Sequence, residues 1–553
     1  MINFNQKIFL TYVKNIALII LIIIVISLRF FNLDLKPYWY DETYTSLRNA
    51  GYTTSELIAH FGVDEHNFGE LSVHRCPNPE KDLEDKLHSL ITDSSHPPLY
   101  LILLHVWTKF LGCKVYQIRL FSVLVSVLIV PGVYLLCREL LLPSKVIWIA
   151  TGLVIISPVY LIYSQEARSY SLLLVLTIFS NYLLLRTLRE EKKTLWIAYT
   201  AISTLGLYCH TLYYFILIGQ LVYTHVILKS SKSSLHRRKQ RNYLIAFCIS
   251  FFAFLAWIVR VISIQGLVIR IGADYSWNEI ALSHLIKRIL MNFSVIFYDF
   301  NFLYSNNLRT LGINENSELI REESSLITSL TNIYFPCIIM LLVTSSIIWV
   351  VRESSPKFRN FILTMPFLSV VFLFKDFVFG GYASAVVRYQ LPTYYCIYLA
   401  VAYFLYMQIN IQRLLVLRLF WTTILVVIFG AGICSNLSYL RAQTWWSKYR
   451  DSSIKEVAEI INHKPEQVVL TDANRSSMVE LLTLSYVVDS KARFQIVEPE
   501  DLLKRDFLKT VFLYRPHRKM LDIVYENPSL RSRFSHIRGK LYQLASSKLP
   551  RRE

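Results

Sequence analysis

Apolar runs about as long as a membrane span recur along most of the chain. The first, Ile16 to Leu28, follows Lys7 and Lys14. Arg29 and two phenylalanines come next instead of the small-residue cleavage site of a signal peptide, so we interpret this run as an anchor with a cytoplasmic N-terminus. Ten further runs lie at 119–137, 146–163, 169–186, 195–209, 211–228, 243–264, 326–351, 361–379, 390–408 and 414–435. Because a spanning helix needs about 20 apolar residues, the pattern predicts eleven transmembrane helices.

The basic residues support this topology. When the sides alternate from a cytoplasmic N-terminus, every basic cluster falls inside, as the positive-inside rule requires. The clusters are Arg138 with Lys145, residues 186–193, residues 229–241, residues 352–359, and Arg413 with Arg418. The short loops on the opposite side carry little beyond Arg168 and Arg388.

The apolar segment from Pro98 to Gly112 is a special case. It has about 15 residues, which is short for a span. If it crossed the bilayer, every later loop would invert and the basic clusters would all face outward. We therefore predict an interfacial or re-entrant segment on the outer face.

The topology leaves three sizeable parts outside. They are a first loop over about 30–118, a second over about 265–325, and a C-terminal region. We expect residues 1–435, with both loops, to form a transmembrane catalytic domain and residues 436–553 a soluble extracytoplasmic domain. In the latter, Asp451-Ser452 can cap a helix with Ile454, Val457, Ile460 and Ile461 on one face. Short apolar runs at 468–470, 494–497 and 511–514 alternate with helical stretches, which predicts a small α/β domain.

Composition excludes a soluble cytosolic enzyme. Of the 553 residues, 54% are hydrophobic and only 18% are charged, whereas soluble domains carry about 25% charged residues. We attribute the net charge of +19 to basic residues that orient the loops and contact anionic lipid head groups. We therefore predict membrane lipids and no nucleic acid as partners. Cys137, Cys209, Cys248, Cys337, Cys396 and Cys434 lie in or beside apolar runs and are interpreted as small hydrophobic residues without a disulfide framework.

Ionisable groups on the outer side are the candidate chemistry, because charge near hydrocarbon is costly unless it is used or paired. Asp41 and Glu42 lie about ten residues after the first span, in Trp39-Tyr40-Asp41-Glu42-Thr43. Two adjacent carboxylates at an aromatic-flanked interface could deprotonate an acceptor or hold a metal. The alternative is the capped start of a loop helix.

Three more outer clusters follow. His96-Pro97-Pro98-Leu99 marks the return to the membrane, with His96 a candidate contact to a proton or phosphate. Glu166 and Arg168 lie in Ser164-Gln165-Glu166-Ala167-Arg168-Ser169-Tyr170 between two spans, where they could pair with each other or orient a sugar or phosphate. Arg388-Tyr389 begins a later span, preceded by Lys375-Asp376. Arginine donates two hydrogen bonds to a phosphate, although a snorkelling side chain is the alternative.

Metal ligation is weakly indicated. His66, His74 and Cys76 are close in sequence, but their spacing is loose and a fourth zinc ligand is missing. We predict no metal-ligating residues, and whether the activity needs a divalent metal ion as a cofactor stays open. His210, between two spans, is either a cavity-lining or a packed histidine.

Taken together, the four clusters resemble one family. The Asp-Glu pair in a long first outer loop, the His-Pro-Pro-Leu return and Tyr-Ser-Gln-Glu-Ala-Arg-Ser-Tyr are similar to the dolichyl-phosphate-mannose protein mannosyltransferase-like (glycosyltransferase family 39 type) group of GT-C membrane enzymes. Arg388-Tyr389 with Pro392 resembles its bacterial members. The resemblance covers about residues 10–440. The C-terminal domain is similar only in kind to that of lipid A aminoarabinose transferases, and residues 62–92 depart from the short bacterial loop.

The resemblance implies a polytopic helical GT-C fold and transfer of a sugar from a polyprenyl-phosphate monosaccharide. It implies that Asp41 is the catalytic base, and we expect Glu42, Glu166 and His96 to position the sugar or acceptor. We expect Arg388 to bind the donor phosphate with help from Arg168, Lys375 and Tyr389, and the sugar to transfer with inversion in a single displacement. The acceptor, a hydroxyl or amine of a protein, lipid or envelope glycan, is unknown.

Three other functions compete. A lipid-linked saccharide flippase or transporter would be expected to carry paired repeats and Gly/Pro-broken helices, which this chain does not show. The second is another GT-C branch, such as an oligosaccharyltransferase or a polymer-forming ligase, and the third is a non-catalytic membrane scaffold. The chain ends in Pro550-Arg551-Arg552-Glu553 rather than a reticulum-retention signal. We therefore expect a bacterial plasma (inner) membrane with the active side outside.

Overall fold

The computed structural model describes residues 23–546, apart from 24, 95, 230–233, 266–281, 300–333 and 505–508. These residues form two compact units. The first, here called the helical unit, comprises the chain up to Leu33 together with Arg119–Ala442. The second, the α/β unit, comprises Asp34–Ile118 and the chain from Gln443 onward.

Helices dominate the described chain. In chain order the α-helices are α1 Tyr40–Ala50, α2 Thr54–Phe61, α3 Leu83–Ser94, α4 Leu99–Leu111, α5 Val115–Val127, α6 Ile129–Glu139, α7 Ser144–Ile155, α8 Pro158–Ser164, α9 Tyr170–Glu190, α10 Lys193–Cys209, α11 Tyr213–Lys229, α12 Ser234–Gln265, α13 Leu282–Val295, α14 Phe335–Glu353, α15 Pro356–Thr364, α16 Phe367–Phe379, α17 Val387–Ile411, α18 Leu415–Arg441, α19 Ile454–Asn462, α20 Arg475–Leu484, α21 Asp501–Lys504, α22 Arg518–Glu526 and α23 Pro528–Arg531. Short 3₁₀ segments lie at Leu28–Phe30, Phe68–Arg75, Ala383–Ala385 and Trp446–Asp451.

The chain is a multi-pass membrane protein. Within the described residues, six helices are long and apolar enough to cross a bilayer, or up to eight if each bent pair counts as one span. The bent pairs are α7 with α8, at 51°, and α15 with α16, at 41°. A helix or helix pair lies over each of the ten predicted runs after the first. Most of the first run lies outside the described residues, so the count of eleven spans stays a prediction.

The helix ends that carry the basic clusters, which were predicted to share one side of the membrane, are joined by polar contacts. Glu139, at the end of α6, pairs with Arg189 near the end of α9 at 3.0 Å, and the Glu139 carbonyl accepts from Lys357 of α15. Lys239 of α12 donates to the Leu188 carbonyl at 2.7 Å. The 21 residues of α9 rise about 32 Å, so the motif at its N-terminus lies a bilayer thickness from these contacts. Which end faces the cytoplasm stays a prediction.

The α/β unit is built on one six-stranded sheet. The strands are β1 Glu65–Asn67, β2 Val469–Asp472, β3 Arg493–Val497, β4 Val511–Tyr514, β5 Phe534–Arg538 and β6 Leu541–Leu544. Their order is β1-β3-β2-β4-β6-β5, with β2 parallel to both β3 and β4 and the outer pairs antiparallel. The small α/β fold predicted for the C-terminal region is confirmed, since β2, β3 and β4 cover its three apolar runs.

The domain boundary differs from the expected one. The first outer segment does not group with the membrane helices but shares a core with the C-terminal region, because its own apolar side chains have partners there. Leu47, Leu57 and Phe68 pack in one cluster with Val457 and Phe494. The strand β1 pairs with β3, with Glu65 opposite Gln495. Residues 34–118 therefore complete the C-terminal fold.

Two local expectations need correction. Asp451 and Ser452 were expected to cap α19, but its N-cap is Ser453, which makes no side-chain cap bond. Asp451 instead accepts a hydrogen bond from the Tyr40 amide at 2.8 Å. Cys76 and Cys113 form a disulfide with Cα atoms 5.5 Å apart, whereas no disulfide was predicted. Both are in the first outer loop, on the side predicted to be extracytoplasmic, which is the signal that could have identified them.

The segment around Pro98–Gly112 forms α4, of 13 residues. At 1.5 Å per residue it measures about 20 Å, well short of the roughly 30 Å hydrocarbon core. Its buried side includes Leu101 and Leu104, while Val106 and Phe110 are exposed. A helix too short to span agrees with the prediction that this segment does not cross the bilayer.

Candidate functional site

The acidic pair of the α/β unit lies in the first turn of α1. The helix begins after Trp39, whose backbone N–H donates to Glu42 Oε2 at 3.4 Å, so Glu42 caps the helix that contains it. Carboxylates in a first turn are favoured by the helix dipole. The capped-helix alternative thus describes Glu42, while Asp41, in the same first turn, is half-buried.

Glu42 is held inside the unit by an ion pair. Its carboxylate lies 3.1 Å from Lys448 Nζ, and both side chains have no exposed surface. The same ammonium lies 5.3 Å from the centroid of the Trp39 ring. A buried and paired carboxylate is suited to fixing its helix rather than to contacting a substrate.

His96 belongs to the same α/β unit. It is half-buried and lies just before Pro98, the N-cap of α4. Helices α1 and α4 are joined by a hydrogen bond from Asn49 Nδ2 to Thr108 Oγ1 at 3.1 Å. The structure therefore brings Asp41, Glu42 and His96 into one unit.

In the helical unit, Glu166 and Arg168 lie between α8 and α9. Glu166 is fully buried, and the Arg168 amide donates to its carbonyl at 2.8 Å. The neighbouring Gln165 donates to the carbonyls of Arg29 and Phe31 at 3.0 and 2.9 Å. These bonds fix the turn that presents Arg168.

Arg29 stabilises the bend before this turn. Its buried guanidinium donates to the carbonyls of Ile155 at 3.3 Å and Tyr160 at 3.2 Å, on the two sides of the break between α7 and α8. Free carbonyls at a helix end need donors. This role could not be predicted from local sequence, because the partners are more than 100 positions away.

The buried ring of His210 lies within electrostatic reach of both outer arginines, Arg168 and Arg388. It follows α10, and its pKa is lowered to about 3, first by burial and then by the positive charges of Arg168 and Arg388. Its Nδ1 accepts from the Leu212 amide at 3.1 Å, so the neutral ring carries its proton on Nε2. His210 is therefore a neutral, buried ring within electrostatic reach of Arg168 and Arg388.

Arg388 and Tyr389 begin α17. The guanidinium carbon lies 5.7 Å from the Tyr389 ring centroid, and that ring contacts Phe372 of α16 at 6.0 Å. Lys375, one turn after Phe372, has its ammonium 3.6 Å from Asp376 Oδ1. Asp376 also accepts from the Ser384 amide at 2.6 Å. The lysine is therefore partly neutralised, which makes it a weaker phosphate ligand than the arginines.

The suggested zinc ligands do not form a site. Cys76 is in a disulfide, and both ring nitrogens of His66 have partners, Glu70 and the Phe61 carbonyl, each at 2.9 Å. Among the residues that the structure describes, no group of three His, Cys, Asp or Glu side chains is arranged for a metal ion.

An apolar cavity of about 540 Å³ lies in the helical unit, between α7 and α18. Trp148, Gly152, Phe429 and Gly430 are among its lining residues. None of the predicted site residues lines it, so it is separate from the charged cluster.

Comparison with known proteins adds to this geometry. Residues 95–259 match the family model of dolichyl-phosphate-mannose-protein mannosyltransferase. The predicted resemblance is confirmed. No curated protein sequence matches the chain.

Solved structures match over nearly the whole chain. ArnT from Cupriavidus metallidurans in the apo state aligns with TM-score 0.51 and 10% identity, covering 96% of this chain and 98% of that one. ArnT from the same organism bound to undecaprenyl phosphate has TM-score 0.48, 10% identity and coverages of 95% and 97%. The Archaeoglobus fulgidus oligosaccharyltransferase in the apo form has TM-score 0.45, 10% identity and coverages of 86% and 64%. The fold is that of the GT-C glycosyltransferases, with a small α/β region.

Proposed function

We propose that this protein transfers a monosaccharide from a polyprenyl-phosphate donor to an acceptor hydroxyl or amine. The observation that carries the proposal is that Arg168 and Arg388, which lie far apart in the sequence, both act on the buried ring of His210 in the helical unit. Arginine donates two parallel hydrogen bonds to a phosphate, and a lipid-linked phosphate is an anion that reaches a membrane unit from the bilayer. The family match over residues 95–259, which include Arg168, supports this reading.

Arg388 and Arg168 are proposed to bind the donor phosphate. Their charges stabilise the negative charge that develops on the phosphate oxygen as the bond to the anomeric carbon breaks. The Nε2–H of neutral His210 adds a donor without adding charge. Lys375, Tyr389 and Glu166 are proposed to complete the donor site, Glu166 by orienting sugar hydroxyls.

Asp41 is proposed as the general base. The acceptor oxygen or nitrogen attacks the anomeric carbon, its proton moves to the Asp41 carboxylate, and the bond to phosphate breaks with its electron pair staying on the phosphate. The products are the glycosylated acceptor, with inverted anomeric configuration, and polyprenyl phosphate. Glu42 holds α1, and His96 contacts the acceptor.

The α/β unit is proposed to lie outside the cytoplasm. The disulfide between Cys76 and Cys113 is typical of oxidising compartments. This agrees with the side expected from the basic clusters. The chain would then act at the outer face of a plasma membrane.

The decisive experiment incubates the purified full-length protein in lipid nanodiscs with radiolabelled polyprenyl-phosphate monosaccharides and a membrane extract as the acceptor source. We expect labelled acceptor and free polyprenyl phosphate to appear together. In proteoliposomes, movement of intact donor without cleavage would instead establish a flippase. Neither cleavage nor movement would leave a scaffold and overturn the proposal.

A further inference from the structure

The residues on both sides of Asp41 are held by the part of the α/β unit that follows the last membrane helix. This part comprises the 3₁₀ turn Trp446–Asp451 and helix α20, and we call it the clamp. The contacts involve Tyr40, Glu42 and Thr43, the immediate neighbours of Asp41 in the first turn of α1.

Tyr40 is fixed at three points. Its backbone N–H donates to Asp451 Oδ2 at 2.8 Å, its hydroxyl hydrogen-bonds with Ser476 Oγ at 3.1 Å, and its ring lies 3.7 Å from the guanidinium carbon of Arg450. The first amides of a helix have no partner within it. Asp451 therefore serves as an external cap for α1.

Glu42 and Thr43 are fixed from the other side of Asp41. Lys448 neutralises the buried Glu42 carboxylate at 3.1 Å, and Thr483 Oγ1 donates to Thr43 Oγ1 at 2.9 Å. A buried carboxylate that loses its cation must take a proton or move to water. Either change would weaken the bond that Glu42 accepts from the Trp39 amide, and with it the start of α1.

The clamp is itself braced. Arg515 binds Asp451 at 2.8 Å and Glu480 at 3.1 Å, and Arg450 also pairs with Glu480. The acidic and basic groups of this network alternate, so the network orients Asp451 without relying on solvent.

We propose that the clamp positions the catalytic carboxylate and that Lys448 and Asp451 are positioning residues. The inference rests on the proposed role of Asp41. It gives the C-terminal region a function in turnover, since a carboxylate displaced by about 1 Å can cost about 100-fold in rate. Neither residue needs to contact the donor or the acceptor.

The test compares Lys448→Met with three other proteins, all full-length and in nanodiscs. Lys448→Arg keeps the charge. Val524→Ala removes a buried side chain from the separate core cluster that contains Leu530, and so controls for loss of stability alone. Asp41→Asn is the reference for lost chemistry. Thermal unfolding and the kcat and KM for donor are measured for each.

We expect Lys448→Met to lower kcat by about 100-fold with donor KM within about 3-fold, and Lys448→Arg to recover most of that loss. We expect Val524→Ala to lower the unfolding temperature about as much as Lys448→Met does, but to keep the wild-type kcat. If Lys448→Met and Val524→Ala reduce kcat equally, the clamp is only structural and the inference fails.

Two outcomes separate this inference from the proposed function. Absence of sugar transfer by the wild-type protein would overturn the proposed function, whereas an active Asp41→Asn protein would overturn the proposed role of Asp41 on which the inference rests. An inactive Asp41→Asn protein with an unchanged kcat in Lys448→Met would overturn the clamp alone. If Lys448→Met does not fold, Asp451→Asn and Thr483→Val make the same comparison with smaller perturbations. Unchanged kcat in both would then overturn the inference.

Discussion

The two units treat charge in opposite ways. Around Asp41 in the α/β unit, acids and bases are matched, as in Glu42 with Lys448 and Asp451 with Arg515. In the helical unit, burial lowers the pKa of His210 to about 3, with smaller contributions from the positive charges of Arg168 and Arg388. Matched charges fix a geometry, whereas neighbouring like charges raise the local potential of one sign. Under the proposed function, the α/β unit holds the base and the two arginines of the helical unit bind the donor phosphate.

The strongest test of this comparison is Asp41→Asn. An amide cannot accept the proton, so we expect kcat to fall by about 1,000-fold or more while binding of the donor stays near the wild-type level. Donor binding and turnover are measured separately. Asp64→Asn, an exposed acid of the same unit, is the matched control. Substantial turnover by Asp41→Asn would remove the assignment of the base.

The second test is Arg388→Ala. Losing one guanidinium from the anion site should lower kcat/KM for the donor by about 100-fold and affect the acceptor KM much less. Steady-state kinetics with each substrate varied in turn make the measurement, and Arg418→Ala, at an exposed position of α18, is the control. Equal effects on donor and acceptor would mean that Arg388 is structural.

The third test concerns the disulfide, which is confined to the α/β unit. Replacing Cys76 and Cys113 by serine releases a loop with a sequence separation of 37, so we expect unfolding of this unit to be easier by roughly 3 kcal/mol. Thermal unfolding followed by near-UV circular dichroism measures the change. Cys248→Ser, at an exposed free thiol, should have no effect. An unchanged unfolding temperature in the double variant would contradict the prediction.

The smallest effect concerns pH. Burial lowers the pKa of His74 to about 4, with a smaller contribution from His60, while the unfolded chain has a value near 6.5. The unfolded state therefore binds the proton first, and the stability of the α/β unit should fall as pH drops from about 6.5 towards about 4. His74→Gln should flatten this dependence in thermal unfolding scans, and His463→Gln, an exposed site, should not. An unaltered profile in His74→Gln would rule out this histidine as the cause.

Much of the candidate site could be predicted because its motifs are short and local. Asp41, Glu42, Glu166 and Arg168 were selected from contiguous sequence, and the family match over residues 95–259 covers the motif that contains Glu166 and Arg168. The roles of the residues stay predictions. What sequence could not indicate is that Glu42 is paired with Lys448, a residue 406 positions away.

The amino-acid sequence by itself determined the membrane helices, the grouping of their basic ends and the family resemblance. These follow from hydropathy and from local motifs. The bilayer acts as a uniform apolar solvent, so each segment partitions into it according to its own hydropathy and flanking charges. Only the tertiary structure decided that residues 34–118 fold with the C-terminal region, that Cys76 meets Cys113, and that a lysine beyond the last membrane helix secures the acidic turn. Such contacts join positions far apart in the chain, and their energies depend on burial and partners that exist only after folding.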